Sequence, residues 1–205
     1  MEPQWLSWAK RLNAIAQNGL TYTESGYDRD RYVEIRQIAA AILAEHTSTP
    51  AERIINLFEQ ETGYRTPRID VRVGVFQDDF VLLVHEKVDD RWAMPGGWAD
   101  AGLSLRENAE KEVREEAGLT VTATRLVAVL DRNRNGHPPS PDDSYKIFVL
   151  AEPTGGSFQP NTETHAADFF PVDRLPELSL PRITADQIRL CLQAHRSPGF
   201  QPVFD

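Results

Sequence analysis

Three glutamates, Glu112, Glu115 and Glu116, stand at i, i+3 and i+4 in the run Lys111-Glu112-Val113-Arg114-Glu115-Glu116-Ala117-Gly118. In a helix that spacing brings the three carboxylates out on one face. Like charges so placed repel, and folding alone disfavours them. A bound divalent cation reverses the sign of the interaction. Hard cations such as Mg2+ or Mn2+ take oxygen ligands and leave positions for water and phosphate oxygens. Glutamate-rich helices are also common on solvated surfaces, so the triplet gains meaning only from its surroundings.

Other side chains suit the same chemistry. Arg72, Arg132 and Arg134 carry guanidinium forks that match phosphate oxygens, although surface ion pairs would account for each of them as well. Arg72 has apolar neighbours along its strand and needs a partner on the opposite face. Trp98 follows the Gly96-Gly97 turn and offers a ring for stacking or for a cation, unless it packs in the core. His137 with Pro138 and Pro139 is placed to shape a lid. Cys191 reads as a buried apolar residue.

The elements that hold these residues fall into two parts. Trp5, Trp8, Leu12 and Ile15 recur at spacings of three and four, which predicts a helix with one buried face that Gly19 then breaks. A second helix is expected over about 28–45, with Tyr32, Ile35, Ile38, Ala39 and Ile42 on one stripe. Thr49-Pro50-Ala51-Glu52 reads as the start of a third, ending near Gly63. From Pro67 the pattern turns to strands. Val71, Val73 and Val75 alternate with Arg72 and Gly74, Asp78-Asp79 marks a turn, and residues 80–84 complete a hairpin. A helix over 105–117 stops at Gly118, a C′ glycine. Strands follow at 126–130 and 145–150, separated by the long polar loop 131–144; loops of that length often carry function. Phe169-Phe170-Pro171 resumes an apolar stretch, and a last helix is expected over 184–194.

The chain of 205 residues has a net charge of −9 and a single cysteine. The acidic balance argues against a nucleic-acid binder held by a basic surface. One cysteine permits no internal disulfide and suits a reducing compartment. No apolar run is long enough to cross a bilayer, and the N-terminus lacks a signal-peptide pattern, so a cytoplasmic location is expected.

The segment Gly96 to Leu119 resembles the Nudix box. Gly97 opens the pattern, and Lys111 to Leu119 closes it at the expected distance. Two positions depart from it. Leu103 stands where the first glutamate belongs and Lys111 where an arginine belongs, and those two residues ordinarily tie the loop to the helix. The N-terminal helices, the phrase 96–102, Asp131-Arg132-Asn133 with His137-Pro138-Pro139, and Phe169-Phe170 with Leu175-Pro176-Glu177-Leu178 resemble one Nudix subgroup, which includes CDP-choline pyrophosphatases. The resemblance implies an α/β fold: a Nudix α/β/α sandwich with a mixed sheet over 65–205, preceded by a small all-helical domain over 1–64. It implies a metal-dependent hydrolase that splits a nucleoside diphosphate linked to another group, with CDP-choline as first expectation and ADP-ribose or a nucleotide sugar as alternatives. A nucleotide-binding regulator without catalysis and an RNA-degrading activity are the readings from other classes. By carry-over, Glu112, Glu115, Glu116 and the Gly96 carbonyl hold Mg2+ or Mn2+. Glu163 is the candidate general base, with His165 as substitute, and Arg72, Trp98, Arg132 and His137 are the substrate contacts. The apolar stripes of the N-terminal helices, two tryptophans among them, point to a homodimer formed through that domain.

Overall fold

The computed structural model describes residues 2–205, which divide into two compact units. The first comprises the residues up to Pro67 together with Pro139–Asp143, and the second is the remainder. Among the described residues no helix is long and apolar enough to cross a membrane.

The first unit holds α1 (Gln4–Tyr22), α2 (Gly26–Glu45) and α3 (Ala51–Gln60). Its core is Leu6, Ala9, Ala40, Leu43 and Ile54. Small residues line the seam between α1 and α2, which lets the two backbones approach. Gly19, expected to end the first helix, lies inside it. A Cβ at Gly19 would fall 2.3–2.5 Å from atoms of the Tyr32 ring, so glycine serves close packing there instead of termination. The expected inward stripe is also corrected. Ala9, Asn13, Ala16 and Gln17 take the buried side, while Trp8 is 53%, Ile15 52% and Tyr22 69% exposed. On α2, Ala39 is buried as its stripe requires, but Ile38 is exposed. Lys10 is buried and paired with Glu2 (2.8 Å) and Asp143.

The second unit is built on β1 (Arg68–Gln77), β2 (Phe80–Glu86), β3 (Arg91–Ala93), α4 (Leu105–Ala117), β4 (Leu119–Asp131), β5 (Ser144–Gly156), β6 (Thr164–Pro171), α5 (Ala185–Arg196) and β7 (Val203–Phe204). The strand order is β3-β2-β1-β5-β4-β7, with β6 paired antiparallel to β2. Pairing of β1 with β5 and of β4 with β7 is parallel, whereas β4–β5, β1–β2 and β2–β3 are antiparallel. The sheet is therefore mixed, as expected. Alternation along β1 sends Val71, Val73 and Val75 to one face, where they pack with Ala109, Val113 and Ala117 of α4. The other core joins Phe76, Leu83, Phe148 and Leu150 to Ile188, Cys191 and Leu192 of α5. Helices cover both faces, giving the α/β/α sandwich. Cys191 is fully buried, and burial pushes its thiol above the ordinary range.

Helix α4 has defined ends. The Ser104 hydroxyl accepts from Glu107 N (3.2 Å), and the Glu107 carboxylate accepts from Ser104 N (2.8 Å), which is a capping box. Gly118 closes the helix in the left-handed region at φ 68°, and a Cβ there would lie 2.3 Å from the Ser157 carbonyl oxygen. The capping box is exposed and independent of the sheet, so Ser104→Ala is expected to lower unfolding free energy by about 1 kcal/mol. Urea denaturation followed by circular dichroism checks it; an unchanged midpoint would show that the cap contributes nothing.

Candidate active site

The site is assembled where the segment Pro95–Ala99 is laced to β1 and pressed on α4. Val73 N donates to Pro95 O (2.9 Å), Val71 N to Gly97 O (2.8 Å) and Ala99 N to Ile69 O (2.9 Å). Gly96 has φ 144°, and a Cβ on it would lie 1.9 Å from the Val71 carbonyl oxygen. No side chain fits at that position. A Cβ on Gly97 would come within 3.0 Å of Glu112 Oε2. The two glycines thus bring bare backbone against the carboxylates of α4.

Glu112 and Glu116 are buried on that face. Gly96 N donates to Glu116 Oε2 at 2.8 Å. Burial raises the Glu116 carboxyl to about 8, against the opposing pull of Arg72 and the Gly96 N–H. Glu112 is raised as well, again by burial first, with Lys111 opposing. Glu115, from the same triplet, is half-exposed and pairs with Lys111 at 2.8 Å. Two of the three carboxylates are therefore buried against the glycine turn, and the third is held half-exposed beside them.

Lys111 also reaches Asp100 (3.2 Å) and Glu112 (3.4 Å). Asn108, buried on α4, accepts from Asp100 N (2.7 Å) and donates to the Leu103 (3.3 Å) and Ser104 (3.1 Å) carbonyls. The loop is thus tied to the helix despite Leu103 and Lys111 at the two departing positions.

Arg72 lies beside this cluster, but three of its five donors are engaged inside the unit. Nε and Nη2 bind the two oxygens of Asp70 (2.8 and 3.2 Å), and Nη1 donates to Met94 O (3.2 Å). The expectation that Arg72 offers an open fork to phosphate is corrected: the fork is closed on Asp70, and what reaches the carboxylates is its charge. Burial works against that charge, but Asp70 keeps the guanidinium firmly protonated. Glu86, buried and 2.9 Å from Arg182, brings a further carboxylate whose own ionisation burial opposes.

Glu163 is exposed on the turn before β6. Its backbone N is held by Asn161 Oδ1 (2.9 Å), and Asn161 Nδ2 (3.2 Å) and Thr164 Oγ1 (2.7 Å) both donate to Glu116 O. The turn is thereby anchored on the end of α4, and the Glu163 charge acts on Glu86. His165 is exposed, its ring 5.5 Å from that of His85. Trp98 is 50% exposed with the Arg68 guanidinium 5.7 Å above its ring. Arg132 donates to Pro138 O (2.8 Å).

His137 does not form a lid. It is buried, with Nδ1 2.7 Å from Leu180 O and Nε2 2.8 Å from Gln187 Nε2. The amide can only donate to Nε2, so the ring proton sits on Nδ1 and donates to Leu180. Both nitrogens are spent inside the unit, and burial pulls the ring down to about 4.

Asp70, Glu86, Asn108 and Lys146 escaped the reading of the sequence. For Asp70, Glu86 and Lys146 the signals were charges inside apolar strands, as in Tyr145-Lys146-Ile147-Phe148, and the i, i+2 pairing of Asp70 with Arg72 on one strand face; Asn108, on α4, carried none.

Residues 59–191 match the family model described as the NUDIX domain, and residues 3–58 match one described as a UDP-X-like N-terminal oligomerisation domain. The chain belongs to the Nudix family. It is 42% identical over 205 residues, all of this chain and 99% of the relative, to "Putative ADP-ribose pyrophosphatase YjhB" of Bacillus subtilis. A crystal structure of an ADP-ribose pyrophosphatase from Streptococcus suis is 47% identical, with a TM-score of 0.64, covering 68% of this chain and all of that one. A crystal structure of a UDP-X diphosphatase is 34% identical, with a TM-score of 0.64, covering 98% of both chains. The protein is a Nudix hydrolase, and the cluster of Gly96, Glu112 and Glu116 lies in its Nudix segment.

The inward-turned His137 has a pH consequence. Its folded value near 4 lies below the ordinary 6.5, so the unfolded chain takes up the proton first. This contribution to stability is whole above about 6.5 and is lost as pH falls towards 4, by as much as about 3 kcal/mol. The His137→Asn variant is expected to flatten that part of the stability profile. Equal slopes for the two proteins between pH 6.5 and 4 would refute the assignment.

Proposed function

We propose that this Nudix hydrolase splits the pyrophosphate of a nucleoside diphosphate joined to a second group, with ADP-ribose as its substrate, giving AMP and ribose 5-phosphate. The observation that carries the chemistry is the buried pair Glu112 and Glu116 under the Gly96–Gly97 backbone. Among the described residues no three His, Cys, Asp or Glu side chains already converge on a single metal position. The donor set nonetheless fits a hard divalent cation: buried carboxylate oxygens, one of them holding a proton to about 8 that a cation would replace. Glu112, Glu116 and Glu115 from the rim, with the Gly96 carbonyl, would hold Mg2+ or Mn2+. When bound, the cation neutralises pyrophosphate oxygens and lowers the pKa of the attacking water.

The chain's own groups do the positioning. The Gly96 N–H fixes one Glu116 oxygen, Lys111 holds Glu115 and Glu112 in register, and Arg72 offsets the gathered negative charge. Glu163, exposed on a turn anchored to α4 and near enough for its charge to act on Glu86, is our candidate to take a proton from water.

The substrate follows from the named relatives and from Trp98. Two of the relatives are named for ADP-ribose and one for UDP-X. The choline of CDP-choline, the first expectation, would seek an aromatic face, and Arg68 already covers one face of Trp98. A side-by-side assay of ADP-ribose, a UDP-sugar and CDP-choline with each metal tests the choice. ADP-ribose should show the highest kcat/KM, and a higher value for CDP-choline would reverse it. In the same assay Glu116→Gln should lose at least about tenfold in kcat, roughly 1.4 kcal/mol of barrier, while remaining folded. Retained turnover would remove Glu116 from the machinery.

The exposed Trp8, Ile15 and Tyr22 lie at seven-residue intervals on α1, and the matching family model describes an oligomerisation domain. We infer that this stripe is the face of a homodimer. A Trp8→Glu, Ile15→Glu double variant is expected to sediment as a monomer at micromolar concentration, where the parent sediments as a dimer. A parent that is monomeric would refute the inference.

A further inference from the structure

Behind the carboxylates, on the other side of Arg72, lies a second set of charges that the proposed reaction does not use. Lys146 of β5 is opposite Asp70 of β1 in the parallel pairing. Its side chain is 0% exposed, and its Nζ lies 3.0 Å from Asp70 Oδ2. The same carboxylate binds Arg72 through both oxygens. One buried carboxylate therefore serves two buried basic groups, of which Lys146 has no exposure at all. Such an arrangement is unfavourable by itself, because each buried charge loses its hydration. Burial, with Arg72 second, draws the Lys146 ammonium down to about 7. Arg132 and His137 from the segment after β4 also face this group, and Arg132 adds to the positive side.

The hydrogen bonds form one continuous path. Lys146 holds Asp70, Asp70 holds the Arg72 fork, and Arg72 Nη1 holds the Met94 carbonyl (3.2 Å). Two residues on, Gly96 N donates to Glu116. A rigid fork clamped at two points can fix a loop that a free arginine could not.

We propose that Lys146 is a positioning residue for the hydrolysis, acting through Asp70 and Arg72 to hold the Met94–Gly96 backbone against Glu116. Its ion pair is with Asp70, not with the glutamates of α4. Its removal frees Asp70 to swing, loosens the Arg72 fork and lets the glycine turn drift from Glu116. The inference rests on Glu116 belonging to the catalytic machinery, as proposed above.

The test uses Lys146→Met, Asp70→Asn and the double variant in the full chain, with two readings. In steady-state hydrolysis of ADP-ribose, Lys146→Met should lower kcat about fivefold or more with KM within about twofold, and should add less than about twofold in the Asp70→Asn background. In the metal-free protein, hydrogen exchange of the Gly96 amide should speed up about tenfold or more in Lys146→Met. The exchange reading needs no turnover, so it stands even if Glu116→Gln shows that Glu116 is not catalytic. Loss in KM alone, full additivity with Asp70→Asn, or unchanged Gly96 exchange would overturn the proposal. Should the methionine variant not fold, Lys146→Gln, a shorter and neutral side chain that is tolerated beside Asp70 but cannot restore the charged contact, is read the same way. Its kcat and exchange should then lie measurably away from wild type, and identity with wild type on both would overturn it.

Discussion

The contact on which the site depends is the approach of bare backbone at Gly96 to both Val71 and Glu116. The Val71 carbonyl occupies the space where any Cβ would project, so the turn can sit on β1 only if that residue is glycine. Once seated, its N–H faces Glu116 at 2.8 Å. The strand below must in turn be straight and paired on schedule, which its parallel register with β5 from Arg68 to Val75 secures. The helix above must present Glu116 at the right height, and the capping box and Gly118 set its two ends. A backbone donor aimed at a buried carboxylate helps to compensate its burial cost.

Electrostatics then divides the catalytic unit by strand face. Odd residues of β1 feed the apolar layer under α4, while Asp70 and Arg72 on even positions carry charge. The gathered carboxylates Glu86, Glu112 and Glu116 meet Arg72 on one side and Lys111 or Arg182 on their outer sides. A buried acidic cluster without these partners would have to take up protons or unfold. The compensation is incomplete at Glu116, whose carboxyl burial still raises to about 8.

Much of this could be read in the sequence because it obeys local rules. The spacing of Glu112 and Glu116, Gly118 after the helix and the Val71–Val73–Val75 alternation each follow from a helix or strand period. What could not be read depended on partners distant in the chain. Nothing local says that Gly19 meets the Tyr32 ring, or that Lys146 meets Asp70 across seventy-odd residues. The inner face of α1 is hidden for a related reason: periodicity finds large apolar residues, whereas this seam is closed by Ala9 and Ala16, leaving Trp8 and Ile15 outside. The strand β4 begins at Leu119, seven residues before its apolar run, because the alternating stretch from Thr120 to Ala123 pairs with the end of β5 and buries Val121 and Ala123 under α4. His137 looked like a loop group for ligands, yet Leu180 and Gln187 claim its ring from segments that no motif connects to it.

Cys191 gives the catalytic unit an intrinsic clock. It is the single thiol of the chain, and it lies on the inner face of α5, in the core on the side of the sheet away from α4. A disulfide reagent in solution reaches it only when α5 lifts or the unit opens, and the thiolate forms only in that open state. The rate of thiol modification therefore counts openings directly, without a probe being introduced. Measured with and without nucleotide, it would give the free energy that ligand binding adds to closure in the same molecule whose turnover is being followed.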